Sequence, residues 1–134
     1  MNIAILGFGV VGSGVAEVIK TNADSIKKNS NVSLKVSRIL DIRDFPGSEY
    51  ESIITKNFDD ILNDDTIDTV VETMGGVNPA FGFVLKCLEK GKNVVSSNKE
   101  LVATKGYELL EAAKKNNVNF LFEASVGGGI PIIR

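Results

Sequence analysis

Residues 2–15 read Asn2-Ile3-Ala4-Ile5-Leu6-Gly7-Phe8-Gly9-Val10-Val11-Gly12-Ser13-Gly14-Val15, and this stretch decides the fold. Asn2–Gly7 is a short apolar run closed by glycine, the pattern of a buried strand. Val10, Val11, Val15, Val18 and Ile19 then recur near helical spacing, which predicts an amphipathic helix to about Thr21. Between the two, Gly7-Phe8-Gly9-Val10-Val11-Gly12 spells G-x-G-x-x-G at a strand-to-helix junction. In that context Gly7 permits the tight turn and Gly9 lets backbone N–H groups approach a pyrophosphate. Gly12 lets the helix pack closely on the strand. The helix N-terminus adds a dipole that favours an anion. The same letters occur in glycine-rich turns that bind nothing, but the strand-then-helix setting favours a dinucleotide site.

Working outward, strand-like and helix-like segments alternate. Asn22–Asn31 is polar and reads as a helix extension or a loop. Val32–Asp41 reads as a second strand, ended by the Pro46-Gly47 turn signal. Ser52–Lys56 is a short third strand and Asp59–Asn63 a small helix. Thr66–Glu72 is a β-branched run. Asn78-Pro79 then predicts an N-cap with proline at the first helical position. Phe81, Val84, Leu85 and Leu88 fall at i, i+3, i+4 and i+7, and Gly91 closes that helix. Asn93–Ser96 is a strand, Lys99–Asn116 a helix with a break expected at Gly106, and Asn119–Glu123 a last strand. Strands in near-continuous apolar runs, separated by helices, predict a doubly wound α/β domain with a mostly parallel sheet.

Composition narrows the chemistry. The 134 residues carry fifteen Lys+Arg against seventeen Asp+Glu, a net charge of −2, which is too balanced for a general nucleic-acid binder. Histidine is absent, which excludes a Ser-His-Asp triad, a Cys-His dyad and a His-ligated metal within the chain. The single cysteine, Cys87, excludes an internal disulfide and reads as a buried structural thiol in a reducing compartment. The uncharged start, Met1 to Ala16, has no basic residues before its apolar core and stops at Glu17. It fits neither a signal peptide nor a membrane span, and the chain reads as soluble and cytoplasmic. The apolar Ile130, Ile132 and Ile133 next to the terminal Arg134 suggest a piece of a longer protein.

Candidate site residues cluster where strands end. Asp41, at the end of the second strand, lies further past the glycines than the usual ~20 residues, an excess that the Asn22–Asn31 insertion accounts for. An acidic residue there would accept hydrogen bonds from ribose hydroxyls and favour NAD. Arg43 would instead bind a 2′-phosphate and favour NADP, and a solvated turn is the plain alternative to both. Glu72-Thr73-Met74-Gly75-Gly76 follows the fourth strand, on the ligand edge of such sheets, where small residues would let a nicotinamide or ribose lie against backbone. Ser96-Ser97-Asn98-Lys99-Glu100 follows the next strand. A lysine there could stabilise alkoxide charge on a reacting oxygen, and a cation at a helix start is otherwise electrostatically unfavourable. Candidate cofactor contacts on these grounds are Gly7, Gly9, Gly12, Asp41, Arg43, Thr73, Met74, Gly75, Ser96, Asn98 and Lys99. Glu123 and the following glycines either offer oxygens to a hard cation or form a hinge, and chemistry alone favours the hinge.

Four segments in this order, GFGVVGSGV (7–15), ETMGG (72–76), SSNKELVATKG (96–106) and EASVGGGIPII (123–133), resemble homoserine dehydrogenase. The resemblance spans essentially the whole chain but only that family's amino-terminal, nucleotide-binding part. It implies interconversion of L-homoserine and L-aspartate 4-semialdehyde with NAD or NADP, in the pathway to threonine, methionine and isoleucine. It further implies that Phe8, Gly9, Val10 and Val11 contact the cofactor phosphates, with Thr73 near the nicotinamide half. Lys99 matches the family's lysine at the junction of nicotinamide and substrate, and is the candidate catalytic residue. Glu123, Val126, Gly128 and Ile130 match positions that hold a structural sodium ion. The family's second essential lysine, its acidic substrate-binding residues and its dimerisation region lie beyond Arg134. The resemblance thus implies a homo-oligomeric whole protein and, for this chain alone, cofactor binding with little or no turnover.

Two other readings compete. Another Rossmann oxidoreductase of amino-acid metabolism, such as an aspartate dehydrogenase-like or dihydrodipicolinate reductase-like protein, would not be expected to carry both the Asn98-Lys99 and Glu123–Pro131 segments. A stand-alone NAD(H)-sensing module would have no need of Lys99.

Overall fold

The computed structural model describes residues 1–122. Its elements follow in the order β1 (Asn2–Leu6), α1 (Val10–Thr21), α2 (Ala23–Ser30), β2 (Lys35–Leu40), a 3₁₀ turn (Glu51–Ile53) and β3 (Ile54–Thr55). Then come α3 (Asp59–Leu62), β4 (Ile67–Glu72), α4 (Ala80–Glu89), β5 (Asn93–Ser96), α5 (Lys99–Lys115) and β6 (Phe120–Leu121). Among the described residues the strands form one sheet in the order β3-β2-β1-β4-β5-β6, and every pairing is parallel. The chain winds outward from β1 to β3, returns, and winds the other way from β4. This is the doubly wound Rossmann-type order, and the reversal falls between β1 and β4.

The two faces of the sheet bury separate cores because strand side chains alternate. Ala4 and Leu6 point into a large core shared with Val84, Cys87 and Leu88 of α4 and Leu101 and Leu109 of α5. Ile3 and Ile5 point the opposite way, against Ala16 of α1, Phe8 and Ile39. Burial on both faces leaves β1 almost wholly apolar, the pattern that marked it in the sequence.

Several boundaries and faces depart from the sequence reading. The polar Asn22–Asn31 segment forms a helix of its own, α2, with no buried residue, so it is a surface insertion rather than part of the core. The α1 face turned to the sheet consists of Gly12 and Ala16, flanked by Val15 and Ile19. Val10 is 92% exposed and Val11 and Val18 are also exposed, so the valine stripe is not the buried one. Small residues hold that face because α1 lies too close to the sheet for larger ones. Helix α4 begins at Ala80 with Pro79 as its N-cap, one residue later than expected, and no Asn78 side-chain cap forms. Gly91 follows its C-cap as predicted, donating its N–H to the Leu88 carbonyl at 3.0 Å. Helix α5 runs unbroken through Gly106, which is buried on the same face as Leu101, Leu109 and Ala113. That glycine makes no bend, and a Cβ there would meet only Val102 Cγ1 of the same helix at an ordinary contact distance of 3.4 Å.

Candidate functional site

The glycine turn links β1 to α1 at the carboxyl edge of the sheet. Gly7 has φ +92°, a conformation that side chains disfavour, and its N–H donates to the Leu40 carbonyl at 2.8 Å. Gly12 faces it across the turn, where a Cβ would lie 1.9 Å from the Gly7 carbonyl oxygen and 2.9 Å from Thr73 Oγ1. Only a residue without a side chain lets the first turn of α1 approach this closely. Gly9 is the helix N-cap and lends no side-chain hydrogen bond, and the first turn contains no acidic residue. The amides of Val10, Val11 and Gly12 there have no carbonyl one turn back to bond.

Next to the turn lies a cleft of about 430 Å³ that spans the β1/β4 switch point. It brings together six of the predicted residues, Gly7, Gly9, Asp41, Arg43, Thr73 and Met74. Its remaining lining is Leu40, Ile42, Lys56, Phe58, Pro79 and Phe83. These were missed in the sequence. Phe58 and Phe83 stack with ring centroids 4.2 Å apart, although they are 25 positions apart in the chain. No local signal links them.

Asp41 is 7% exposed and its carboxylate is fully engaged. Oδ2 accepts the Phe8 N–H at 2.8 Å and Arg43 Nη2 at 3.0 Å, while Oδ1 accepts the Arg43 N–H at 2.9 Å and Nε at 3.0 Å. The Arg43 guanidinium, above all, holds its pKa down to about 2, against the opposing effect of burial. Arg43 also sits over the Phe45 ring at 5.2 Å and overhangs Gly9, where a Cβ would lie 3.9 Å from Nη2. Phe8 itself is buried on the far side, edge-on to Phe45 and Tyr50, and its N–H is spent on Asp41. The resemblance implies a phosphate contact there; the free amides of this turn begin after Phe8.

Thr73 joins the two halves of the edge. Its hydroxyl donates to the Gly7 carbonyl at 2.8 Å and its N–H to the Leu6 carbonyl at 2.9 Å. Gly75 and Gly76 follow with φ +81° and +71°. Ser96 is fully buried and donates its hydroxyl to Glu72 at 2.7 Å. Asn98 is the N-cap of α5, accepting the Leu101 N–H at 3.1 Å. Neither Ser96, Asn98 nor Gly75 lines the cleft. Lys99, the first residue of α5, is exposed on the same edge but outside the cleft, and makes no ion pair among the described residues.

The expected cation ligands Glu123, Val126, Gly128 and Ile130 lie outside the described residues, as does the end predicted for the last strand. Among the described residues no cluster of three acidic or cysteine side chains offers a metal site, and no helix is long and apolar enough to cross a membrane. Cys87 is buried, which pushes its thiol up to about 12.

A pyrophosphate-sized approach over Gly7 and Gly9, open amides beyond it and a carboxylate–guanidinium pair at the end of β2 fit a dinucleotide. Comparison with known proteins agrees. A family model described as the NAD binding domain of homoserine dehydrogenase matches residues 7–123. A homoserine dehydrogenase of Lactococcus lactis is 40% identical over the whole chain, which corresponds to 32% of that protein. The crystal structure of a homoserine dehydrogenase from Thiobacillus denitrificans superposes with a TM-score of 0.89 at 36% identity, covering 98% of this chain and 31% of that one. A hyperthermophilic archaeal homoserine dehydrogenase in complex with NADPH superposes with a TM-score of 0.75 at 26% identity, over 93% of this chain and 44% of that one. The chain spans about a third of the length of the curated relatives it matches. With the glycine turn, the switch-point cleft and this match in hand, the chain belongs to the homoserine dehydrogenase family and corresponds to its NAD-binding domain.

Proposed function

We propose that this chain is the cofactor-binding part of an oxidoreductase that interconverts L-homoserine and L-aspartate 4-semialdehyde, and that it prefers NADP to NAD. The cleft carries the reading, because its glycine floor and its basic rim stand at the switch point of a domain of this family. Gly7 and Gly9 would leave room for the pyrophosphate, and the first-turn amides of α1 would donate to it. Arg43 and Lys56 line the same cleft and would take the 2′-phosphate as charge-assisted donors. Asp41 accepts four bonds within the protein, so a ribose diol would have to displace Arg43 to reach it. A relative described as being in complex with NADPH shows that a domain of this fold can take the phosphorylated dinucleotide.

Bound nicotinamide would supply hydride exchange. Thr73 would set the backbone against which that half lies. Lys99 would be the catalytic residue, holding an ammonium beside the reacting oxygen and stabilising its charge. Placing a lysine at the first position of α5 is unfavourable to the helix dipole, which a role in the site would explain. A sodium ion at Glu123, Val126, Gly128 and Ile130 and a homo-oligomeric whole protein belong to the same proposal, supported by the resemblance alone, as does cytoplasmic residence, supported by the uncharged start and the single cysteine.

The test is a fluorescence titration of the purified chain with NADH and with NADPH, followed by an assay with homoserine. Saturable binding, tighter for NADPH, without turnover is expected. Absence of saturable binding by either dinucleotide overturns the reading, and tighter NADH binding overturns the NADP preference.

A further inference from the structure

Glu72 ends β4 with no exposed surface, yet it does not line the cleft. Strand register sets it between Leu6 and Ser96. Its Oε1 accepts the Met74 N–H at 2.7 Å and Asn98 Nδ2 at 3.4 Å, and its Oε2 accepts the Ser96 hydroxyl at 2.7 Å. Its own carbonyl accepts the Ser97 N–H at 3.1 Å. The partners are cross-linked in turn. Ser96 Oγ accepts the Asn98 N–H at 3.1 Å, and Asn98 Nδ2 donates to the Gly76 carbonyl at 2.6 Å. Asn98 Oδ1 caps α5, the helix that opens with Lys99.

No ion pair compensates Glu72 among the described residues. Burying a carboxylate is unfavourable unless it is well hydrogen-bonded, and packing alone would be served better by an apolar side chain. An amide cannot replace it. If a glutamine oxygen kept Met74 and Asn98, its NH₂ would face the Ser96 hydroxyl, whose proton would lose its acceptor; the flipped amide would face two donors.

We propose that Glu72 is a positioning residue for the nicotinamide half of the site, tying the 73–76 loop to the 96–98 loop so that Thr73 and Lys99 are held in register. The inference rests on the cofactor reading above. In a doubly wound sheet the two halves of a dinucleotide lie on opposite sides of the switch point. The β1 and β2 side, with Gly7 bonded to Leu40 and Phe8 to Asp41, is held without Glu72. Loss of Glu72 should therefore affect one half of the ligand only.

Calorimetric titration of the chain and of Glu72→Gln with NADPH and with 2′,5′-ADP, which lacks the nicotinamide half, tests this. Glu72→Gln should weaken NADPH roughly tenfold, the loss of about one charge-assisted bond, and leave 2′,5′-ADP within about twofold. Equal weakening of both ligands, or of neither, overturns the positioning role. If Glu72→Gln does not fold, Ser96→Ala, which removes the donor to Oε2, must show the same split. A parent chain that binds neither ligand overturns the cofactor reading and this inference together. A parent that binds both, with an unsplit variant, overturns only the role of Glu72.

Discussion

Arg43 grips Asp41 with two nitrogens, Nε on Oδ1 and Nη2 on Oδ2, each at 3.0 Å. The pair closes the end of β2 over the glycine turn, and the same carboxylate holds the Phe8 amide. An acidic residue and a basic one, each of which alone suggests a different cofactor, are thus one unit in the folded chain. Arg43 remains 58% exposed at its side chain, and only Nε and Nη2 bond Asp41, so Nη1 can meet an incoming phosphate with the pair intact.

Removing the guanidinium should separate the cofactors. Arg43→Ala is expected to weaken NADPH by roughly tenfold or more, the value of a charge-assisted bond to phosphate. NADH should change by less than about threefold or tighten, since Asp41 gains two open acceptor positions. Parallel titrations of both dinucleotides at one salt concentration measure the ratio, and an equal loss for both would remove Arg43 from cofactor selection.

The Asp41 cluster also predicts how stability depends on acid. The folded-state pKa of about 2 lies below the ordinary 3.8, so the deprotonated form is the one that stabilises the fold. That contribution is complete above about pH 5 and is lost as pH falls through 3.8 toward 2. Asp41→Asn should therefore be less stable than the parent at neutral pH, with the gap narrowing below about pH 4. Urea midpoints at a series of pH values give the gap directly. A difference that stays constant down to about pH 3 would show that the carboxylate charge is not what matters.

The two glycines at the start of α1 should respond in opposite directions. Gly12→Ala would press a Cβ onto the Gly7 carbonyl at 1.9 Å, where the obstruction is backbone and cannot rotate away. A loss of roughly 3 kcal/mol is expected. Gly14→Ala meets nothing within 4 Å inside the same helix, and should stabilise by roughly 0.5–1 kcal/mol. Thermal or urea unfolding of both variants decides it, and a neutral Gly12→Ala would mean that α1 does not sit as close to β1 as described.

By itself the sequence determined the features that one segment can encode. The apolar run of β1, the glycines of its turn, the helical spacing of Phe81, Val84, Leu85 and Leu88, and an acidic residue ending β2 are all local patterns. They were enough for a doubly wound sheet with a dinucleotide turn, because torsional preference and side-chain periodicity act within a few residues. Segments whose pattern was ambiguous were the ones misread. The valines of α1 mark helical spacing without saying which face meets the sheet, and a glycine such as Gly106 is compatible with an unbroken helix as well as with a break.

Only the tertiary structure decided the partners. Glu72 meets Ser96 and Asn98 because β4 and β5 pair in one particular register. Phe58 stacks on Phe83 because α3 and α4 cover the same face of the sheet. Asp41 receives the Phe8 amide, 33 positions away, only because the end of β2 adjoins the glycine turn. Each of these depends on how strands are ordered and aligned across the sheet, and the hydrogen-bond ladders and packing that set the alignment join residues tens of positions apart.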